Sequence, residues 1–241
     1  MKSGVLKPLG LSAALLAGVC HAASAGEAFT SPVAPPAIQA MPLAPSHQLA
    51  QPPRADFADT PASSDAQFAA HWVAGHADHQ RLPFVIVDKK NAQAFVFGAD
   101  RKLKGATPVL LGLAVGDGGL TDMSGRAISS LRPDERTTPA GRFAAEPGRN
   151  LQGEAIIWVD YAAKIAIHRL RPDLQHERRG QRLASSTADD NRISMGCIVV
   201  PVAFYDNVIQ PVLGKTRSVV YVLPETRPLQ DMLGALQASL N

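Results

Sequence analysis

The residues best suited to chemistry sit in one short run, Ile193-Ser194-Met195-Gly196-Cys197-Ile198-Val199-Val200. Glycine lets the chain turn sharply there and lets backbone N–H groups come close to a substrate oxygen. A thiol directly behind it suits an acyl-transfer nucleophile served by a backbone oxyanion hole. A thiol of pKa about 8.5 is mostly protonated at neutral pH, so the chemistry also needs a base. His168 closes the strand-like run KIAIH, and a strand end facing a turn can reach a second loop. On these residues alone two readings stay open: a Cys-His acyl-transfer site, or a buried cysteine acting as a small hydrophobe.

The 241-residue chain is 46% apolar and 19% charged, enough for a core and too charged for a multi-span membrane protein. The net charge is only +3, and Lys2 and Lys7 supply two of those charges. No concentrated basic face results, which sets nucleic-acid binding aside. Those lysines precede an apolar stretch, Leu9 to Cys20, and the small residues Ala23-Ser24-Ala25. This is the order of an export signal. Twelve apolar residues reach only about 18 Å as a helix, short of a ~30 Å hydrocarbon core, so cleavage after Ala25 is expected rather than a stable membrane span. Lipidation at Cys20 ranks second, because Val19 stands where such signals carry a small residue. Cleavage leaves Cys197 as the lone thiol, exposed to an oxidising compartment, the periplasm.

The elements that must position Cys197 and His168 are mostly strands. Residues 26–65 form a Pro-rich linker, with eight prolines between 26 and 61. A short helix is expected over 66–81. From Leu82 the texture is β: PFVIVD and QAFVFG read as one hairpin, EAIIWVD and KIAIH as a second, with PVLLGLAVG, CIVV and RSVVYVLP as further apolar runs. Pro201 can open a helix through about Leu213. Leu229, Leu233, Leu236 and Leu240 mark a C-terminal helix within 225–241. The expected architecture is a mainly β domain with a few short helices, over 82–224, behind the Pro-rich leader.

Ser194-Met195-Gly196-Cys197 with an upstream strand-end His168 resembles the signature of L,D-transpeptidases of the YkuD type, a histidine, a variable loop, then Ser/Thr-His-Gly-Cys. Thr138-Pro139-Ala140-Gly141-Arg142-Phe143 resembles that family's TPxGxF segment, and VIVDKKNAQAFVF its opening strand pair. The resemblance covers 82–224 and implies a YkuD-like β-sandwich or barrel. It implies Cys197 as nucleophile, His168 as base, the Gly196 and Cys197 N–H groups as oxyanion donors, and Ser194 as orienter of the loop. The substrate implied is a peptidoglycan stem peptide, attacked at the carbonyl of its third residue with loss of D-alanine, and no metal or organic cofactor is required. Arg169, Arg192 and Met195 are the candidate substrate contacts. The chain departs from the pattern at Met195, where the family has histidine, and at Val199, where it has Arg or Asn. The loop from His168 to Ser194 is also long and highly charged. These departures motivate the alternative of a cell-wall-binding domain that keeps the fold without turnover.

Two further groups compete for attention. His71, His76 and His79 invite a metal reading, but His71 lies ~140° around a helix from His76, and no carboxylate or cysteine completes a set. A solvated helix is the simpler reading. A zinc site from Cys197, His168 and His176 would be one ligand short of a closed structural site. The arginines after His168 could grip an anionic polymer, but Asp173, Glu177, Asp189 and Asp190 interleave with them, which favours internal ion pairs. The signal pattern generates a direct test. N-terminal sequencing of the envelope-located protein should begin at Gly26, and an intact Met1 start in the cytoplasm would refute export.

Overall fold

The structure, a computed structural model, describes residues 51–171 and 175–240, which belong to one compact unit, Leu49–Asn241. The export signal, most of the leader and Asp173 lie outside the described residues. Helix α1 (Ser64–Gly75) is followed by β1 (Phe84–Asp88), β2 (Gln93–Phe97), β3 (Leu103–Pro108), β4 (Leu111–Gly112), β5 (Gly141–Arg149), β6 (Ala155–Asp160) and β7 (Ile165–Arg169). Then come α2 (Arg179–Leu183), β8 (Arg192–Ser194), β9 (Ile198–Val200), a helical segment at 202–213, β10 (Ser218–Val222) and a C-terminal helix, Leu229–Leu240. Eight strands form one sheet in the order β3-β2-β1-β10-β5-β6-β7-β9, and β4 pairs with β8. A bridge from Leu110 to Val199 brings the chain just after β3 against β9, the far edge. The sheet is therefore nearly closed, and the expected mainly β architecture is what the chain adopts.

Both anticipated hairpins form, with Asp88 opposite Gln93 and Ile157 opposite Ile167. Strands β3 and β5 carry too much Gly, Pro and Lys to read as strands from sequence. Pro147 is tolerated in β5 because the strand changes partner: 141–145 pair with β10, while 146–149 pair only with β6. The run PVLLGLAVG, by contrast, yields only the two residues of β4, since its backbone groups serve bridges to β8, β9 and the 136–138 segment. The 202–213 segment contains a wide π turn at Tyr205–Ile209, ahead of the turn that holds Pro211.

Strands β1, β2 and β10 are buried on both faces. Phe84, Ile86, Phe95, Phe97, Val219 and Tyr221 face one layer, made by Ala66, Ala69, Ala70 and Val73 of α1 with Leu229, Met232 and Leu233 of the C-terminal helix. Val85, Val87, Val96, Val220 and Val222 face the other, with Ile157, Ile167, Ile198, Tyr205, Ile209 and Leu213. Both helices thus share a core with the sheet and are not appendages to an 82–224 domain. Helix α1 also stops earlier than expected, at Gly75, because Ala77, Gln80 and Arg81 take left-handed backbone angles that turn the chain into β1.

The leader boundary needs correction as well. Ala55 is buried, Asp56 exchanges backbone hydrogen bonds with Arg101 and Leu103, and Phe57 packs edge-on against Phe95 and Phe97 at 5.6 and 5.0 Å. The folded unit therefore includes residues that composition assigns to a linker. A protein beginning at residue 51 should melt like the mature chain, while one beginning at 62 should melt clearly lower. Phe57→Ala should cost about 2 kcal/mol through lost aromatic packing, measured by thermal or urea denaturation. Equal stability of the 51 and 62 starts would refute this.

Candidate active site

Strands β7 and β9 run parallel, with Ile167 beside Ile198 and His168 beside Val199. Ile167 and Ile198 point into the main core. Strand alternation then sends His168 to the opposite face. Cys197 stands one residue before β9, so the fold brings it next to β7, the strand that carries His168, with its sulfur against the Lys164 carbonyl. The His168 Nδ1 donates to the Arg169 carbonyl at 2.7 Å. A carbonyl can only accept, so the proton sits on Nδ1 and the Nε2 lone pair is left for a base.

Gly196 makes the turn into Cys197 possible. Its φ is +123°, and a Cβ there would stand 2.8 Å from both the Thr137 carbonyl oxygen and Ile165 Cδ1. No larger residue fits that approach. The Gly196 N–H donates to Ser194 Oγ at 3.1 Å, and Ser194 Oγ–H donates to the Cys197 carbonyl at 2.6 Å. Thr138 Oγ1–H donates to the Gly196 carbonyl at 2.9 Å. The Gly196 N–H, expected as an oxyanion donor, is thus already engaged. The Cys197 N–H has no acceptor among the described residues.

The electrostatics of the pair are those of two neutral groups. Burial lowers the His168 pKa below its usual 6.5; the Arg169 carbonyl and Glu154 oppose the shift, and Arg171 and Arg179 reinforce it. Cys197 is half-buried. Burial raises the thiol pKa above 9.0, against the Ala166 backbone, Arg171 and Arg179. The sulfur donates to the Lys164 carbonyl at 3.6 Å, and no hydrogen bond joins it to His168.

The remaining predicted contacts are spread over three places. Arg169, one residue on from His168, faces away: it pairs with Asp206 at 2.7 Å and stacks over the Tyr205 ring at 4.1 Å. Arg192 binds Glu225 and the Lys89 carbonyl. Met195 lines a small cavity with Leu120, Met123, Leu131, Pro139 and Ile165, beneath the loop that precedes β5. Val199 is fully buried with Leu110 and Leu183. Of the two departures from the signature, Val199 is thus a core residue, while Met195 is half-buried at a cavity that Glu135 and Thr137 also line. The charged loop pairs partly within itself, through Arg179–Glu177 and Arg182 to the Asp190 carbonyl, and partly outward, through Arg171 to Glu154 ahead of β6. The three α1-region histidines pack on aromatics: His71 on Phe57, His76 on Trp72 and a buried His79 on Phe84.

Sequence reasoning missed the support behind the loop. Lys89, fully buried, donates to the carbonyls of Gly116 and Thr138 at 2.5 and 3.0 Å, and pairs with Asp117 and Glu225 at 3.0 and 3.3 Å. Burial pushes Asp117 toward the neutral form. Hydrogen bonds from Thr226, the Glu225 N–H and Lys89 overcome that and hold its carboxyl well below the usual range. The only signal available was a lysine directly after a β-branched apolar strand, which reads as an ordinary turn residue.

No family model matches the chain, and no curated protein matches it. Among solved structures it is similar to the catalytic domain of an Enterococcus faecium L,D-transpeptidase, at 19% identity over 58% of this chain and 96% of that one, TM-score 0.34. An L,D-transpeptidase from Xylanimonas cellulosilytica matches at 12% identity over 58% and 60%, TM-score 0.37. The helical cell shape determining protein Pgp2 of Campylobacter jejuni matches at 14% identity over 66% and 56%, TM-score 0.40. The matched part thus spans under two thirds of the latter two chains.

The neutral pair predicts a pH signature. Alkylation of Cys197 by iodoacetamide proceeds through thiolate, so its rate should still be climbing at pH 9 and show no plateau near neutrality. His168, with its pKa lowered, stays an unprotonated base from high pH down to below 6.5. An alkylation midpoint near pH 7 would contradict this account of the site.

Proposed function

We propose that the protein is an exported, periplasmic cysteine acyltransferase acting on peptidoglycan stem peptides, as an L,D-transpeptidase or L,D-carboxypeptidase. The observation that supports the reading is the Nδ1 anchor of His168, which frees Nε2 on the strand that pairs with the segment directly after Cys197. The ordered motifs, with TPAGRF ahead of a strand-end histidine and SMGC behind it, supply the substrate class.

In this reading His168 Nε2 takes the Cys197 proton as sulfur attacks the carbonyl of the third stem residue. Because the thiol is neutral at rest, the proton moves during attack and no preformed thiolate is needed. The free Cys197 N–H stabilises the oxyanion, a contribution of ~2.7–4 kcal/mol per donor in other acyl-transfer sites. The tetrahedral intermediate collapses with loss of D-alanine, whose amine nitrogen receives the proton from His168, leaving a thioester on Cys197. An acceptor amine then gives a cross-link, and water gives the tripeptide.

One observation favours the second reading, a wall-binding domain without turnover: the sulfur is bonded to the Lys164 carbonyl and not to His168. Incubating the mature protein with tetrapeptide muropeptides separates the two. D-Alanine with a cross-linked product is expected for a transpeptidase, and D-alanine with tripeptide alone for a carboxypeptidase. Cys197→Ala should abolish thioester formation with the fold intact, and His168→Ala should slow it by about 10²–10⁴-fold. Muropeptide bound with no D-alanine and an unmodified thiol would select the binding reading.

A further inference from the structure

Gly196 and Cys197 together present four backbone polar groups, and three of them are occupied. The Gly196 N–H and the Cys197 carbonyl are both held by Ser194 Oγ, and the Gly196 carbonyl is held by Thr138 Oγ1. Only the Cys197 N–H is left over among the described residues. It belongs to the same peptide unit as the Gly196 carbonyl, and in a trans peptide the two point in opposite directions. Whatever fixes that carbonyl therefore aims that N–H.

We propose that Thr138 is a positioning residue whose hydroxyl sets the Gly196–Cys197 peptide plane and so holds the Cys197 N–H as an oxyanion donor. This rests on the reading of Cys197 as nucleophile. Thr138 is fully buried, and its hydroxyl has a fixed role on both sides. It accepts from the Gly112 N–H at 2.8 Å, which leaves its own proton for the Gly196 carbonyl. Thr138 is itself held through its carbonyl by the buried Lys89 ammonium at 3.0 Å. The backbone comes close as well: a Cβ on Gly112 would stand 2.7 Å from the Thr138 nitrogen. A hydroxyl gripped at both its oxygen and its proton, on a segment that cannot move, fixes an otherwise permissive glycine.

The test compares Thr138→Val, which keeps shape and loses the hydroxyl, with Thr138→Ser, which keeps the hydroxyl. Thr138→Ala serves if the valine variant does not fold, since its gap lets a water satisfy the Gly112 N–H. Two reactions of Cys197 are followed: acylation by p-nitrophenyl acetate, which builds an oxyanion, and alkylation by iodoacetamide, which does not. The hydroxyl-free variants should lose about 10²-fold in acylation, the size of a misplaced catalytic group. Their alkylation should stay within about twofold, and serine should restore acylation. In ¹⁵N spectra the Gly196 and Cys197 amide resonances should shift in the hydroxyl-free variants and return in the serine variant. Unchanged acylation, an equal loss in both reactions, or unmoved resonances would overturn the proposal. Should the parent protein fail to acylate while the resonances respond, the nucleophile reading falls and the positioning of the loop by Thr138 stands.

Discussion

A single buried cation organises the region behind the nucleophile loop. The Lys89 side chain has no contact with solvent, so its ammonium must be neutralised and hydrogen-bonded inside the protein. Its partners come from segments far apart in sequence: the loop at Gly116 and Asp117, the TP segment at Thr138, and Glu225 after the last strand. Asp117 also accepts from the backbone of Glu225, Thr226 and Arg227, and Glu225 in turn binds Arg192 at the start of β8. Removing one partner of such a cluster leaves an uncompensated charge, typically worth about 3–5 kcal/mol. The loop that carries Cys197 is therefore backed by a network whose central cation, Lys89, is distant from it in the chain.

That rigidity matters because the loop itself is built from permissive parts. A glycine at positive φ, a serine hydroxyl and a threonine hydroxyl define it, and each is individually a weak constraint. Together they leave one backbone donor, the Cys197 N–H, without an acceptor among the described residues. The pair is neutral at rest, which places the burden on proton transfer rather than on a stored thiolate. Burial is the leading cause of both pKa shifts.

Charge on the excursion between β7 and β8 is answered by protein groups, partly within it and partly at the turn before β6. Arg171 answers Glu154, Arg179 answers Glu177, and Arg182 answers backbone carbonyls. Arg169, which sequence placed beside the substrate, instead joins β7 to the helical segment after β9 through Asp206 and the Tyr205 face. The Arg169 side chain, one residue from His168, lies on the opposite side of the strand, because side chains alternate at every step.

Much of this was legible in the sequence, and the limits have a common cause. Alternating apolar runs bounded by turn residues specified both hairpins, β9 and β10, because burial of one or two strand faces leaves a local pattern. Cys197 and Gly196 stood out as a thiol directly after a glycine, and His168 as a histidine closing a strand-like run. Strands β3 and β5 were invisible, since their pairing is supplied by partners and not by their own composition. Phe57 and Ala55 read as linker for the same reason: prolines dominate the local pattern, while the packing that holds them comes from β2. Only the folded chain decided that Ser194 consumes the Gly196 N–H, that Arg169 turns away, and that Lys89 is buried. Each of those outcomes depends on which distant group arrives at hydrogen-bonding distance, and long-range pairing leaves no trace in the order of neighbouring residues.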